Sequence, residues 1–136
     1  MTTQNRYILM VEDDPDDRYL TEQTLQEIGV TTPIKFLTQS DEVLSFLQTH
    51  EPPAIILIDY NISPDNGVEV LKTLKANAGY RHIPVIILSD SADPTYVTEC
   101  YRYGANSFIA KPFTAKTTRK KIESFFTYWL EVVEVG

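Results

Sequence analysis

Residues 54–59, Ala-Ile-Ile-Leu-Ile-Asp, are the stretch that decides the fold. An unbroken apolar run that is rich in isoleucine predicts a strand of a parallel sheet, buried on both faces. A carboxylate that ends such a strand lies at the carboxyl edge of the sheet, where open α/β folds bind their ligands. Asp59 is therefore the first candidate for a functional residue.

Charged residues also follow two other predicted strands. Glu12 and Asp13 come after the strand at 7–11, and Lys111 comes after the strand at 107–110. Because the carboxyl ends of parallel strands meet at one edge of the sheet, we expect these side chains to converge with Asp59. A cluster of acids beside one cation suits a magnesium ion and a phosphoryl group.

Strand and helix patterns alternate along the chain. Asp14 and Pro15 predict the N-cap and the first residue of the first helix, and Ser40 is predicted to cap the second helix. Five strands alternating with five helices predict a parallel sheet with helices on both faces. We expect one domain over 1–136, with an extended apolar C-terminal helix and tail at about 127–136 and no output domain.

The bulk composition narrows the classes of function. The 136 residues carry a formal net charge of −7, which disfavours nonspecific binding to nucleic acid. Cys100 is the single cysteine, so no intrachain disulfide is possible. The sequence contains neither a long apolar run nor the apolar core of a signal peptide. We therefore expect a cytoplasmic protein with no nucleic-acid or membrane partner.

Four sequence elements, taken together, are typical of one family. They are residues 11–14, Val-Glu-Asp-Asp; Asp59 with Gly67 eight residues later; Leu88-Ser89; and residues 104–113, Gly-Ala-Asn-Ser-Phe-Ile-Ala-Lys-Pro-Phe. In this order and at these spacings, the chain resembles the receiver domain of two-component response regulators over residues 6–126. The resemblance implies a flavodoxin-like (βα)5 three-layer sandwich with strand order 2-1-3-4-5. It also implies phosphoryl transfer from a histidine kinase to Asp59. Such a phosphoacceptor catalyses its own phosphorylation and dephosphorylation and is not an enzyme with a separate substrate.

The resemblance assigns the metal site and its neighbour. Mg²⁺ would be bound by the carboxylates of Asp13 and Asp59, by Glu12 directly or through a water, and by the backbone carbonyl of Asn61. Lys111 would pair with Asp59 and then with a phosphoryl oxygen.

The resemblance also implies a switch pair, Ser89 and Phe108. The Ser89 hydroxyl would donate to a phosphoryl oxygen, and the Phe108 ring would turn inward behind it. A permanently buried core aromatic is the alternative for Phe108. The peptide bond between Lys111 and Pro112 is expected to be cis, as in the family.

The chain departs from the family pattern at two places. Ser63 stands where the family usually has proline, and Pro64 follows it, so the loop after Asp59 is expected to take a different path. Asp90 stands where the family favours alanine or glycine. We expect this extra acid to repel anionic phosphodonors and to slow phosphorylation by small ones.

The C-terminal segment points to a subgroup and to an interface. Residues 122–125 and 129–131, together with Cys100-Tyr101, resemble the stand-alone regulators that serve cyanobacterial-type phytochromes. That resemblance implies a phytochrome histidine kinase as a partner and a homodimer through the fourth helix, fifth strand and fifth helix. The candidate interface residues are Val97, Tyr101, Phe125, Trp129, Leu130 and Val133.

Three other classes remain as alternatives. A pseudo-receiver would act as a scaffold without taking phosphate, and the two departures at Ser63-Pro64 and Asp90 keep this alternative open. An aspartate-nucleophile phosphatase would need a second aspartate two residues after Asp59, where this chain has Asn61. A flavin-binding protein is disfavoured, because the acids at 12–17 would repel a phosphate in the absence of metal.

Overall fold

The apolar segments that the sequence predicts as strands form one parallel sheet. The computed structural model describes residues 6–111 and 116–132, apart from the side chains of 131 and 132. The strands are β1 (Ile8–Val11), β2 (Ile34–Leu37), β3 (Ile55–Asp59), β4 (Val85–Ser89) and β5 (Ser107–Ala110). Their order is β2-β1-β3-β4-β5, so the predicted flavodoxin-like topology is confirmed.

Five helices connect and flank the strands, as predicted. They are α1 (Pro15–Glu27), α2 (Val43–Thr49), α3 (Gly67–Ala76), α4 (Pro94–Arg102) and α5 (Lys116–Thr127). A 3₁₀ turn, Ser40–Glu42, precedes α2, and a π-helical turn, Tyr128–Val132, continues α5. None of the helices in the described ranges is long and apolar enough to cross a bilayer.

The helix caps show one prediction that is confirmed and one that is wrong. The Asp14 carboxylate accepts hydrogen bonds from the backbone N–H groups of Asp16 (2.8 Å) and Asp17 (3.4 Å), as expected of an N-cap. Ser40 does not cap α2. Its hydroxyl instead accepts the N–H of Asp65 at 2.9 Å, so this buried serine holds the loop that follows β3.

Alternating side chains of the strands form two separate cores, one on each face of the sheet. One core packs β-strand residues such as Leu9 and Ile56 against α2, α3 and α4. The other packs residues such as Met10 and Leu57 against α1 and α5. Three layers result, and all residues of β1, β3 and β4 are buried because both faces of these strands are covered.

The edge strand β5 has its outward backbone groups bound by side chains. The N–H of Phe108 donates to the Tyr101 hydroxyl of α4 (3.0 Å), and its carbonyl accepts from Lys121 Nζ of α5 (2.6 Å). The carbonyl of Ala110 accepts from the Thr118 hydroxyl (2.8 Å). An unpaired sheet edge can pair with a foreign strand. These bonds occupy groups that such a strand would need.

Candidate functional site

Asp59 lies at the end of β3 with both carboxylate oxygens engaged. The central position of β3 in the sheet leaves the residue only 7% exposed. Oδ1 accepts the backbone N–H of Asn61 at 2.9 Å, and Oδ2 accepts Lys111 Nζ at 2.8 Å. The carboxylate is thus held in one orientation at the carboxyl edge of the sheet.

The Lys111 ammonium lies among three carboxylates. Its Nζ is 2.6 Å from Asp17 Oδ2, 2.8 Å from Asp59 Oδ2 and 3.3 Å from Glu12 Oε1. The Lys111 side chain is 5% exposed and that of Glu12 is 1% exposed, so water screens these contacts weakly. The three carboxylates share the single positive charge of Lys111, so the cluster has an excess of negative charge.

Burial and mutual contact separate the proton affinities of these groups. Burial, reinforced by the neighbouring Asp59, raises the pKa of Glu12 to about 8. Burial also acts to raise the pKa of Asp59, but hydrogen bonds from Glu12, Lys111 and Asn61 outweigh it and lower that pKa below its usual value. For Lys111 the penalty of burial is outweighed by Asp17 and Asp59, which raise its pKa. The shifts therefore favour the ionised form of Asp59 and the protonated form of Glu12.

The donor set fits a hard divalent cation. One carboxylate oxygen each from Glu12, Asp17 and Asp59 lies within 4.8 Å of the other two. Carboxylate oxygens are the ligands that Mg²⁺ prefers, and a divalent charge would balance the excess negative charge. Asp13 is exposed and lies outside this group of three. For Asn61 the structure gives a hydrogen bond from the N–H, and the role of its carbonyl stays a prediction.

Asp17 is the member of the cluster that sequence reasoning missed. It lies in the first turn of α1, after the Asp14 cap and Pro15. Helical side chains tilt toward the N-terminus of their helix, so an acid here points back to the ends of the strands. Its position in that first turn was the available signal.

Ser89 and Phe108 lie on the adjacent strands β4 and β5. Asp59 pairs in register with Leu88, so Ser89 is one residue farther along β4, where it is 1% exposed. Its hydroxyl accepts the N–H of Ser91 at 3.1 Å. Phe108 is 3% exposed and packs in the core on the α4 side of the sheet. The ring therefore occupies the inward position.

The loop after Asp59 connects the site to α4. The ring of Tyr60 stacks on Tyr96 with centroids 4.7 Å apart, and its hydroxyl donates to Glu99 at 3.3 Å. The peptide bond between Ser63 and Pro64 is cis. The expected cis bond after Lys111 involves Pro112, which lies outside the described residues.

The predicted interface residues lie on both sides of the β5 edge. Val97 packs against the core on the α4 side, and Tyr101 of the same helix is 46% exposed. Phe125, Trp129 and Leu130 are half-buried and pack against the opposite core. Val133 lies outside the described residues.

Comparison with known proteins identifies the family. The sequence profile described as the response regulator receiver domain matches residues 8–123. Response regulator Rcp1 of Synechocystis sp. is 29% identical over 134 residues, which cover 94% of this chain and 91% of Rcp1. The probable methanogenesis regulatory protein FilR2 of Methanothrix harundinacea is 29% identical over 128 residues, covering 90% of this chain and 83% of FilR2.

Solved structures agree with this assignment. The Mn²⁺-bound form of Rcp1 superposes with a TM-score of 0.81 at 28% identity and covers 96% of this chain and 99% of that chain. The phosphorylated cyanobacterial phytochrome response regulator RcpA has the same fold, with a TM-score of 0.82 at 24% identity over 95% of this chain and 96% of its own. The predicted resemblance to stand-alone phytochrome response regulators is thereby confirmed.

Proposed function

This chain belongs to the response regulator receiver family, and on that premise we propose that it accepts a phosphoryl group from a histidine kinase on Asp59. The observation that supports the proposal most directly is the Asp59 carboxylate, which is buried and lies 2.8 Å from Lys111 Nζ at the carboxyl edge of the sheet. A carboxylate needs its negative charge to attack phosphorus, and the lowered pKa provides it at neutral pH.

The transfer itself is a simple exchange of bonds at phosphorus. An oxygen of Asp59 forms a bond to phosphorus as the bond from phosphorus to the kinase histidine nitrogen breaks, and the electron pair leaves with the imidazole. Lys111 starts on Asp59 Oδ2 at 2.8 Å and moves to a phosphoryl oxygen as the negative charge moves there. The Ser89 hydroxyl gives up Ser91 as its donor partner and turns toward a second phosphoryl oxygen.

We propose Mg²⁺ as the cofactor, held by Glu12, Asp13, Asp59 and the Asn61 carbonyl. When bound, the ion would neutralise the charge that accumulates on the acids and the phosphoryl oxygens. Its fit is supported by Glu12 and Asp59, which belong to the group of close carboxylate oxygens with an excess of negative charge, and Asp13 is an exposed acid that follows Glu12 directly in the chain. Rcp1, a relative, has been crystallised with Mn²⁺.

The signal would leave the domain through α4, β5 and α5. Movement of Ser89 toward the phosphate is proposed to tighten the packing around Phe108, whose backbone is bound by Tyr101 and Lys121 from the two flanking helices. Because these bonds occupy the outward groups of β5, partners would dock on helix side chains and would not add a strand.

We propose a phytochrome-type kinase as the phosphodonor and a homodimer through this face. The pairing is supported by similarity to Rcp1, and the fold is shared with RcpA, a phytochrome response regulator. We further propose that the chain works as a single domain in the cytoplasm, where the kinase obtains its ATP. A phosphorylation-independent scaffold is the alternative.

The experiment is phosphoryl transfer from the phosphorylated histidine-kinase core of a phytochrome, in the presence of Mg²⁺. Wild type should acquire an acid-stable, base-labile phosphoryl group, and Asp59→Asn should acquire none. Asp65→Asn is the matched control, because Asp65 is an exposed acid of the same loop. Transfer to Asp59→Asn would mean that another residue accepts the phosphoryl group and would refute the assignment of Asp59. No transfer to wild type from any kinase or small phosphodonor would favour the scaffold.

Oligomeric state is measured separately. Sedimentation velocity at high micromolar concentration should show a dimer that Tyr101→Ala weakens. Tyr19→Ala removes an aromatic ring that is 60% exposed on α1 and should leave the dimer unchanged. A wild-type monomer at this concentration would contradict the dimer proposal.

A further inference from the structure

Asp17 makes the shortest contact in the acid cluster, and the phosphoryl-transfer steps proposed above do not use its contact with Lys111. Its Oδ2 lies 2.6 Å from Lys111 Nζ, compared with 2.8 Å for Asp59 and 3.3 Å for Glu12. The Asp17 side chain is 25% exposed, while the Lys111 side chain is 5% exposed. A partly hydrated acid thus holds a buried ammonium from the solvent side.

The start of α1 fixes this acid in place. Asp14 caps the helix and accepts the N–H of Asp17, while the hydroxyl of Thr21 donates to the Asp17 carbonyl at 2.8 Å. A negative charge in the first turn is also favoured by the helix dipole. The backbone of Asp17 is therefore held at the start of α1, whereas Lys111 reaches the Asp17 carboxylate from the end of β5 on a flexible stem.

The proposed reaction changes the other two partners of Lys111. An ammonium has three N–H donors, and each can serve one of the three carboxylates. Phosphorylation converts Asp59 into a mixed anhydride, and Mg²⁺ would occupy Glu12. Of the three acids that contact Lys111, Asp17 alone is neither the phosphoacceptor nor among the proposed metal ligands, so its contact is the one that the proposed cycle leaves intact.

We propose that Asp17 is a positioning residue that anchors the Lys111 ammonium beside Asp59 before and after phosphoryl transfer. This inference rests on the proposed function. It assigns Asp17 an action through Lys111, in contrast to a direct ligand of the metal. Without this anchor, Lys111 would spend part of its time away from the reacting oxygens, and transfer would slow.

The first test needs neither metal nor phosphate. Amine methylation by formaldehyde and a hydride donor, in EDTA, is followed at each lysine by mass spectrometry. Lys111 should react about tenfold faster in Asp17→Asn than in wild type, since one charge-assisted hydrogen bond is lost. Lys72, whose side chain is 38% exposed, is the internal reference. Asp16→Asn, which removes an exposed acid from the same turn, is the matched control and should not change the rate.

The second test is a double-mutant cycle on the rate of phosphorylation by phosphoramidate at saturating Mg²⁺. Asp17→Asn should slow wild type about tenfold but should change Lys111→Ala by less than about twofold. Asp17→Ser, which keeps a favourable residue in the first helical turn, should reproduce the effect if Asp17→Asn disturbs folding.

The outcomes separate the two proposals. Unchanged methylation of Lys111 in Asp17→Asn would overturn the anchoring role. An undiminished effect of Asp17→Asn in the Lys111→Ala background would overturn it too and would make Asp17 a metal ligand. If wild type accepts no phosphate at all, the proposed function fails, while the methylation test still decides whether Asp17 holds Lys111.

Discussion

Replacing Gly67 by alanine should destabilise the protein and damage the Asp59 site together. Gly67 is the first residue of α3, and its N–H donates to the carbonyl of Tyr60 at 2.8 Å. A Cβ at this position would lie 2.8 Å from the Asp59 carbonyl oxygen, 3.1 Å from the Cα of Tyr60 and 3.2 Å from Cγ2 of Ile58. An ordinary contact between carbon and oxygen is about 3.3 Å or longer, so the backbone must move by about half an ångström.

The loss of stability in Gly67→Ala depends on whether the backbone at the end of β3 can move away from the new methyl group. The end of β3 is fixed by its ladder to β4, including a 2.7 Å bond from the Tyr60 N–H to the Leu88 carbonyl. Overpacking of this kind costs about 1–3 kcal/mol. Alanine recovers about 0.4–1 kcal/mol by restricting the unfolded chain. We expect a net loss of about 1–2 kcal/mol and slower phosphorylation, because the displaced backbone belongs to Asp59 and its neighbour.

Urea unfolding with a linear extrapolation measures the first effect, and phosphoramidate labelling measures the second. Gly79→Ala is the control. Its Cβ would meet only the flexible side-chain oxygen of Asn77, at 3.2 Å, and the change should stay within about 0.5 kcal/mol. If Gly67→Ala is as stable and as readily phosphorylated as wild type, the close approach of α3 to Asp59 affects neither stability nor phosphorylation, and the reasoning is wrong.

Four further predictions concern single side chains. Because the folded pKa of Glu12, about 8, exceeds its ordinary value of 4.5, the stability of the protein in EDTA should fall as pH rises from 4.5 to 8. The melting temperature of Glu12→Gln should not show this fall. An equal fall in both proteins would refute the raised pKa of Glu12. Burial raises the pKa of Cys100 to about 11, so alkylation by iodoacetamide should stay slow through pH 9 and become fast in urea; fast labelling of the native protein at pH 8 would contradict this. Asp90 is an exposed acid next to Ser89 and should repel anionic phosphodonors. Asp90→Ala should therefore be phosphorylated by acetyl phosphate severalfold faster, and an unchanged rate would refute this. Tyr101→Phe removes the acceptor of the Phe108 N–H and should cost about 1 kcal/mol in urea unfolding, whereas no loss would mean that water replaces the hydroxyl.

The sequence predicted the fold in most of its detail because the signals are local. Continuous apolar runs mark buried parallel strands, and the right-handed crossover rule leaves few topologies for alternating strands and helices. The error at Ser40 has the opposite origin. Serine before an acidic helix start predicts a cap, but the partner that its hydroxyl finds, the Asp65 N–H, lies 25 residues away. The sequence around Ser40 contains no information about a hydrogen-bond partner so far along the chain.

Some contacts of the candidate site could be predicted from local sequence signals, and others depend on distant contacts. Asp59, Glu12 and Lys111 could be placed together from the sequence, since each ends a strand and parallel strands end at one edge. The place of Asp17 in the first turn of α1 puts it near this edge, but its contact with Lys111 depends on how α1 packs across the sheet and could not be predicted. That packing is the sum of many weak contacts in the core that α1 shares with α5, and no single residue spacing encodes it.

By itself, the sequence determined a five-stranded parallel α/β domain with an acidic cluster and a lysine at its carboxyl edge. The tertiary structure alone decided that Asp17, 94 residues before Lys111, would hold its ammonium, and that α3 would begin against the carbonyl of Asp59. The physical reason is one of range. Hydrophobic periodicity acts within a segment, whereas ion pairs and close backbone contacts depend on distances that exist only after the layers have packed.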